Sequence, residues 1–359
     1  ATALAERGAS GWIDWSRETG GTYRAEHGLA LLLGIPAAEA RTLRRGPVEA
    51  AGSGLDPSTW TYAYRGNLIT ADEHSVRDAR AAGLSLDETE WLANALRDDA
   101  KDTTVSLAVV GPARLVVAFD RMHGDVDPGF APEPGAPLEG ANEMPRRYGE
   151  RAALMRRSRD VLSIQSINEV RVDLGENPAN MLWLWGGGPP AVMGAPFSGR
   201  PVNAVMVSNS PLARGLAGLC GMPHVALGEP WSELAKPELP GLDRVAKLVR
   251  DHDLVLVYVE APEEQGRFGS AMEKMKALDR VDFHVLRPLV EVIEREGDGL
   301  LALAALPEDG AEEAVTPFCC RGSTVVRDGV ARWDELAARE GALGCRTAHG
   351  LLNIVLGET

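Results

Sequence analysis

From about residue 200 onward, apolar and polar positions follow two alternating rhythms. "PVNAVMVS" (from Pro201) is a short apolar run of strand length, and "SPLARGLAGLCG" after it has a Ser-Pro helix start and a Gly stop. "DLVLVYVEAP" is a continuous apolar run of the kind that suits a parallel strand buried on both faces. In "SAMEKMKALDRVDFHVLRPLVEVIERE", Met272, Met275, Leu278, Val281, Val285 and Leu289 recur every three to four positions, the period of an amphipathic helix. "GLLALAAL" supplies another buried strand. Strand, helix, strand, helix, strand predicts an α/β fold with a mostly parallel central sheet flanked by helices.

The middle of the chain breaks this rhythm. "VSLAVV" and "ARLVVAFD" read as a two-stranded unit, "GDVDPGFAPEPGAPLEG" as loop or lid, and "PRRYGERAALMRRSRDVLSIQSI" as a basic helix. "NPANMLWLWGGGPP" returns to strand and then a Gly turn. The expected organisation is a discontinuous core, residues 1–67 and 179–359, interrupted by a smaller α+β cap domain over 68–178. No internal repeat is visible.

Composition narrows the function classes. The chain has 359 residues and a net charge of -15, from 52 acids against 37 bases. Such a balance excludes a nucleic-acid backbone and an anionic membrane surface as general partners, while leaving room for a local basic pocket. The apolar runs fall short of the ~18 to 20 residues that a membrane span needs. "ATALAERGASGW" lacks a basic region followed by an apolar one, so no secretory signal is expected, and an opening Ala leaves upstream residues open. Cys220, Cys319, Cys320 and Cys345 form no CxxC pair, which predicts a reduced, cytoplasmic protein with buried thiols.

Five stretches taken in order resemble the archaeal-type cofactor-independent phosphoglycerate mutases. They are "LALLLGIPAAEARTLRRGPVEAAGSGL", "YAYRGNLIT", "PANMLWLWGGGPP", "DLVLVYVEAPEEQGRFGSAMEKMKALDRVD" and "WDELAAREGALGCRTAHGLLNIVLG". The resemblance covers nearly the whole chain. It implies an alkaline-phosphatase-like core with an inserted cap, and in the family a two-metal site with a serine nucleophile.

The positions matching that site carry other residues. The family's metal-binding Asp and His, four residues apart, align with Glu263 and Arg267. Glu can coordinate through oxygen, but Arg cannot, because its guanidinium stays protonated and only donates. The nucleophile motif Gly-Ser-Asp aligns with Arg24, Ala25 and Glu26, and alanine has no nucleophilic atom. The Asp-His pair near residue 300 has become "LPEDGAEEA", and the next His falls near Ala311. No bound metal and no cofactor are therefore expected.

On the substrate side, Arg114, Arg65 and Arg214 fit basic positions of the family, whereas Gly129 replaces a His and "LGEPWSEL" replaces a Gly- and Thr-bearing segment. His27 reads either as a general base near neutral pH or as a helix-packing residue. Glu263, Glu264 and Arg267 read either as a catalytic cluster or as a local salt bridge. "GGG" at 186–188 reads as a tight turn rather than an anion cradle. Arg146, Arg147, Arg151, Arg156, Arg157 and Arg159 read as a solvated helix face, His284 as structural, and His224 and His252 as surface residues.

The expected function is metal-independent chemistry on, or binding of, a small anionic metabolite in the interdomain cleft. Arg267 and Arg114 would hold the anion, and Glu263 or His27 would move a proton, with Glu26 beside them. A non-catalytic regulatory or partner subunit and an active phosphomutase with atypical ligands are the other readings. A homo-oligomer or a partner protein is possible in each.

Overall fold

The computed structural model describes residues 2–81, 83–100, 104–121, 129–138, 149–226, 242–268, 270–297, 299–312 and 314–357. Its strands are β1 (Ala9–Asp14), β2 (Tyr62–Ala71), β3 (Val76–Asp78), β4 (Val105–Gly111), β5 (Arg114–Phe119) and β6 (Met181–Gly188). They continue as β7 (Ala204–Val207), β8 (His224–Val225), β9 (Leu254–Val257), β10 (Leu300–Ala304), β11 (Val315–Gly322) and β12 (Gly344–Arg346). Helices lie between them, so the chain is α/β.

Two sheets belong to the outer parts of the chain. One has the order β10-β11-β1-β12, with β1 antiparallel to β11 and parallel to β12. The other is parallel, β8-β7-β9. All four residues of β7 are buried, as a strand covered on both faces requires. The runs at 253 and 299, expected to be fully buried, are only partly covered. The reason is position: among the described strands β9 and β10 each close a sheet edge.

The third sheet is antiparallel throughout. β2 lies between β5 and β6, β4 pairs outside β5, and β3 folds back on the end of β2. The hairpin β4–β5 is the two-stranded unit read from the apolar pattern. This sheet spans Tyr62 to Gly188, so position 68 falls inside β2 and position 178 falls shortly before β6. Helices Leu86–Asp99 and Gly149–Ser163 pack against it. The first opens with a capping box, the Ser85 hydroxyl accepting from the Glu88 amide and the Glu88 carboxylate from the Ser85 amide, an arrangement that contributes about 1 kcal/mol. Separate apolar clusters form around Ile13, Trp15, Phe197 and Phe318, and around Tyr64, Leu92, Leu115 and Leu182.

Two local expectations are corrected. The glycines at 186–188 lie in β6, not in a turn. A Cβ on Gly187 would sit 2.2 Å from the Tyr64 ring, so the close approach of that ring demands glycine. The apolar stripe after Ser270 is buried only in its second half. The segment divides into Ala271–Val281, a π-turn at Asp282–Leu286 and Arg287–Glu296. Val285 and Leu289 are buried, whereas Met272, Met275 and Leu278 are 58%, 59% and 47% exposed.

Candidate functional site

A band of interleaved charges forms where β2 and β5 face the Arg45–Ala51 helix and the segment after β9. Period-two geometry sets its first members: Arg65 and Asn67 share a face of β2, and Asn67 stands opposite Arg114 of β5. The Asn67 side-chain oxygen accepts from Arg65 Nε at 3.2 Å and from Trp185 Nε1 at 3.1 Å. Glu49, one turn along its helix from Arg45, accepts from Arg45 Nε at 2.6 Å and Arg65 Nη1 at 2.5 Å. Glu260, just beyond β9, pairs with Arg45 and lies 3.4 Å from Arg114 Nη1. Glu264, one turn further, pairs with Arg114 and lies 3.6 Å from Arg80.

Except for Arg80, every member of this band is buried. Burial alone would raise the Glu260 carboxyl, but Arg45, Arg114 and Arg65 overcome it and hold it down to about 2. Arg114 is lowered to about 9, first by burial and then by Arg65 and Arg80, against the pull of Glu260. Carboxylates interleaved among the guanidiniums offset their mutual repulsion.

A second group adjoins the band and is acidic. The stretch "APEEQGRF" forms a helix, Ala261–Phe268. Glu263 and Arg267 therefore sit four residues apart on one face. Arg267 Nη1 lies 3.6 Å from both Glu263 and Asp309, and Nη2 lies 3.9 Å from Glu133. Asp309 also accepts the Ala25 backbone N–H at 2.6 Å, at the first residue of the Ala25–Leu32 helix.

Burial, reinforced by Asp309 and opposed by Arg45, raises Glu26 to about 7. Burial, then Glu260 and Asp309, raises Glu263 to about 7 against Arg45 and Arg267. Burial and these same acids push the Tyr23 hydroxyl far up, and its oxygen has no hydrogen-bond partner among the described residues. Arg45 acts on Tyr23, Glu26, Tyr258, Glu260 and Glu263 alike, so it is the cation common to both groups.

The structure thus brings together Glu26, Glu263, Arg267, Arg65 and Arg114. Arg214 stands at the edge, half-buried, with Glu49 as its charged neighbour. His27 is buried, its Nε2 3.3 Å from the Leu43 carbonyl, and burial lowers it to about 4. It is neutral at pH 7 and a weak base. Arg151 departs from the solvated-face expectation: it is buried and donates to the Leu184 carbonyl at 2.8 Å. His224, expected at the surface, is half-buried against the Ser208 carbonyl at 2.8 Å. Arg146, Arg147 and "LGEPWSEL" lie outside the described residues.

Sequence reading missed Arg45, Glu49, Arg80, Glu260 and Asp309 as site members. The available signal was local: "RGPVEA" places Arg45 and Glu49 one helical turn apart, and "VEAPEE" puts acids directly after a strand end.

The described residues of this site do not converge as ligands for a pair of divalent cations. Among the described residues no group of three or more His, Cys, Asp or Glu is placed to hold a metal ion. A guanidinium sits beside both Glu263 and Asp309, and two-ion sites need several oxygen or imidazole ligands converging.

Comparisons with known proteins agree with the motifs. The family model described as 2,3-bisphosphoglycerate-independent phosphoglycerate mutase matches residues 5–168. A Methanothermobacter thermautotrophicus protein named 2,3-bisphosphoglycerate-independent phosphoglycerate mutase 2 is 30% identical over 326 residues, covering 87% of this chain and 79% of its own. A Methanosarcina mazei mutase is 26% identical over 328 residues, 87% of this chain and 81% of its own. Among solved structures, a Pyrococcus horikoshii protein superposes with a TM-score of 0.66 at 20% identity, over 99% of this chain and 88% of that one. The cofactor-independent phosphoglycerate mutase of Thermoplasma acidophilum gives 0.50 at 24%, over 99% and 90%. The fold is alkaline-phosphatase-like, and the chain belongs to the 2,3-bisphosphoglycerate-independent phosphoglycerate mutase family.

Proposed function

We propose that this family member binds a small anionic metabolite in the arginine-lined cleft without metal ions, with Glu26 and Glu263 holding or moving a proton there. The observation that carries the reading is Arg267, placed between Glu263 and Asp309 with Ala25 tethered alongside. A guanidinium contributes fixed positive charge but no coordination, and a methyl group at Ala25 offers nothing to phosphorylate. Arg65, Arg114 and Arg214 supply the donors that match a carboxylate or phosphate. A carboxyl group near pH 7 can give or take a proton at neutral pH, which favours Glu26 and Glu263 over His27.

The names of the relatives make phosphoglycerates the first ligands to try. Calorimetric titration of the full chain with 3-phosphoglycerate should give saturable binding that EDTA leaves unchanged. The same samples should form no 2-phosphoglycerate, with or without added Mn2+. Conversion abolished by EDTA would overturn this reading in favour of a mutase with atypical ligands. A non-catalytic partner subunit is the second reading, favoured by cleft arginines that already hold internal carboxylates. It gains if neither 3-phosphoglycerate nor inorganic phosphate binds. No described helix is long and apolar enough to cross a membrane, and the four free cysteines support a reducing, cytoplasmic setting.

A further inference from the structure

We infer that Glu264, with Glu260 behind it, is an internal latch: its carboxylate occupies the anion-binding face of Arg114 and holds the cleft shut until a ligand displaces it. This rests on the proposed binding of an anion by the same arginines. The two sides of the contact come from different parts of the fold. Arg65, Arg80 and Arg114 belong to or follow strands of the antiparallel sheet, whereas Glu260 and Glu264 follow β9 of the parallel sheet. Arg114 pairs with Glu264 and lies 3.4 Å from Glu260, and Arg80 lies 3.6 Å from Glu264. Arg267 adds a further link, 3.9 Å from Glu133 of the segment before the Gly149–Ser163 helix.

Both partners of the main contact are almost wholly buried, Arg114 at 3% and Glu264 at 5% exposure. An anion from solvent cannot reach Arg114 while that carboxylate is in place. It must either exchange with Glu264 or wait for the two sides to part. In both cases only a fraction of molecules is competent to bind, and the observed dissociation constant is the intrinsic one divided by that fraction.

Glu264 is a better latch than Glu260. Glu260 is paired with Arg45 and lies 3.4 Å from Arg114, so it keeps a close partner when Arg114 is drawn away. Both arginines paired with Glu264 lie across the cleft. Releasing it uncovers Arg114 and Arg80 together, a pair of planar donors suited to one phosphate or carboxylate.

The test compares wild type, Glu264→Gln and Glu264→Asp in calorimetric titrations with 3-phosphoglycerate and with inorganic phosphate. Glu264→Gln removes the competing charge and should tighten 3-phosphoglycerate binding about tenfold, as expected if the competent fraction rises by that factor. Glu264→Asp keeps the charge on a shorter arm and should tighten it less. It also serves as the measurement if the Gln variant does not fold. Equal or weaker binding by both variants, with wild type binding normally, would overturn the latch and leave the binding reading intact. If no form binds either probe, both are overturned.

Discussion

Asp309 joins Arg267 to Ala25: one carboxylate oxygen accepts the Ala25 amide at 2.6 Å, and the other lies 3.6 Å from Arg267 Nη1. A residue absent from the expected site list thus connects positions 25 and 267. The connection explains why Arg267 faces inward rather than into solvent, its side chain being 22% exposed.

Arg267→Ala should lower stability by about 2 kcal/mol at pH 8, between the cost of losing an exposed pair and that of losing a buried one. Glu263, Asp309 and Glu133 would then lose the guanidinium they share, with Arg45 left as the cation acting on Glu263 and Asp309. The loss should be smaller at pH 5, where Glu263, raised to about 7, carries its own proton. Urea denaturation at the two pH values reads the difference. An equal loss at both would mean that packing, not charge, is what Arg267 contributes.

Ala25→Ser places a hydroxyl at the start of the Ala25–Leu32 helix but should not give phosphoryl transfer. A serine hydroxyl is a weak nucleophile unless a base or a metal activates it. Arg267 can be neither, and Glu26 and Glu263 alone should not suffice for transfer. Intact-mass spectrometry after incubation with 3-phosphoglycerate should show no added phosphoryl group. A stable 80-dalton adduct, roughly the mass of one phosphoryl group on a hydroxyl, would show that the site still activates a nucleophile.

What the sequence revealed and what it hid follow from the range of the interactions. Strand-length apolar runs at 201 and 253 and the hairpin at 105–119 are local patterns, and they appear as strands. Arg65 and Arg114 were singled out through the resemblance, and one sheet face unites them. The charge band was hidden because its partners are distant in sequence: Arg45 meets Glu260 and Arg114 meets Glu264 only in three dimensions. "GGG" misled because composition marks a turn, while the demand for glycine came from the Tyr64 ring packed against β6. Met272, Met275 and Leu278 misled because period alone cannot say which face is covered.

Arg45 should be the costliest single charge to remove. Its loss leaves buried Glu49 and Glu260 each short of a partner, and breaking a buried pair from one side typically costs about 3 to 5 kcal/mol. Arg45→Met should fall in that range by chemical denaturation. Adding Glu49→Leu should cost less in that background than in wild type, because its contact with Arg45 is already gone and only the pair with Arg65 remains to be broken. Strict additivity of the two changes would contradict the coupling that their 2.6 Å contact implies.

Glu26 gives the pH dependence. Its carboxyl is buried and raised from 4.5 to about 7, first by burial and then by Asp309. Between those two values the unfolded chain has released this proton while the folded chain still holds it. The group therefore favours the folded state below about pH 4.5, and its support declines as pH rises, until it is lost above about pH 7. Glu26→Gln keeps a neutral side chain of the same shape at every pH. The variant should match wild type near pH 4.5 and become the more stable form by on the order of 2 kcal/mol at pH 8. Thermal melts across that range measure the crossing. His27, lowered to about 4, contributes with the opposite slope: its neutral form supports the fold above about pH 6.5, and that support is lost as pH falls towards 4. The comparison with Glu26→Gln separates the two, since only the Glu26 contribution disappears in the variant. If the variant and wild type keep the same difference in melting temperature from pH 5 to 8, Glu26 is ionised throughout and cannot be the group that carries a proton in this cleft.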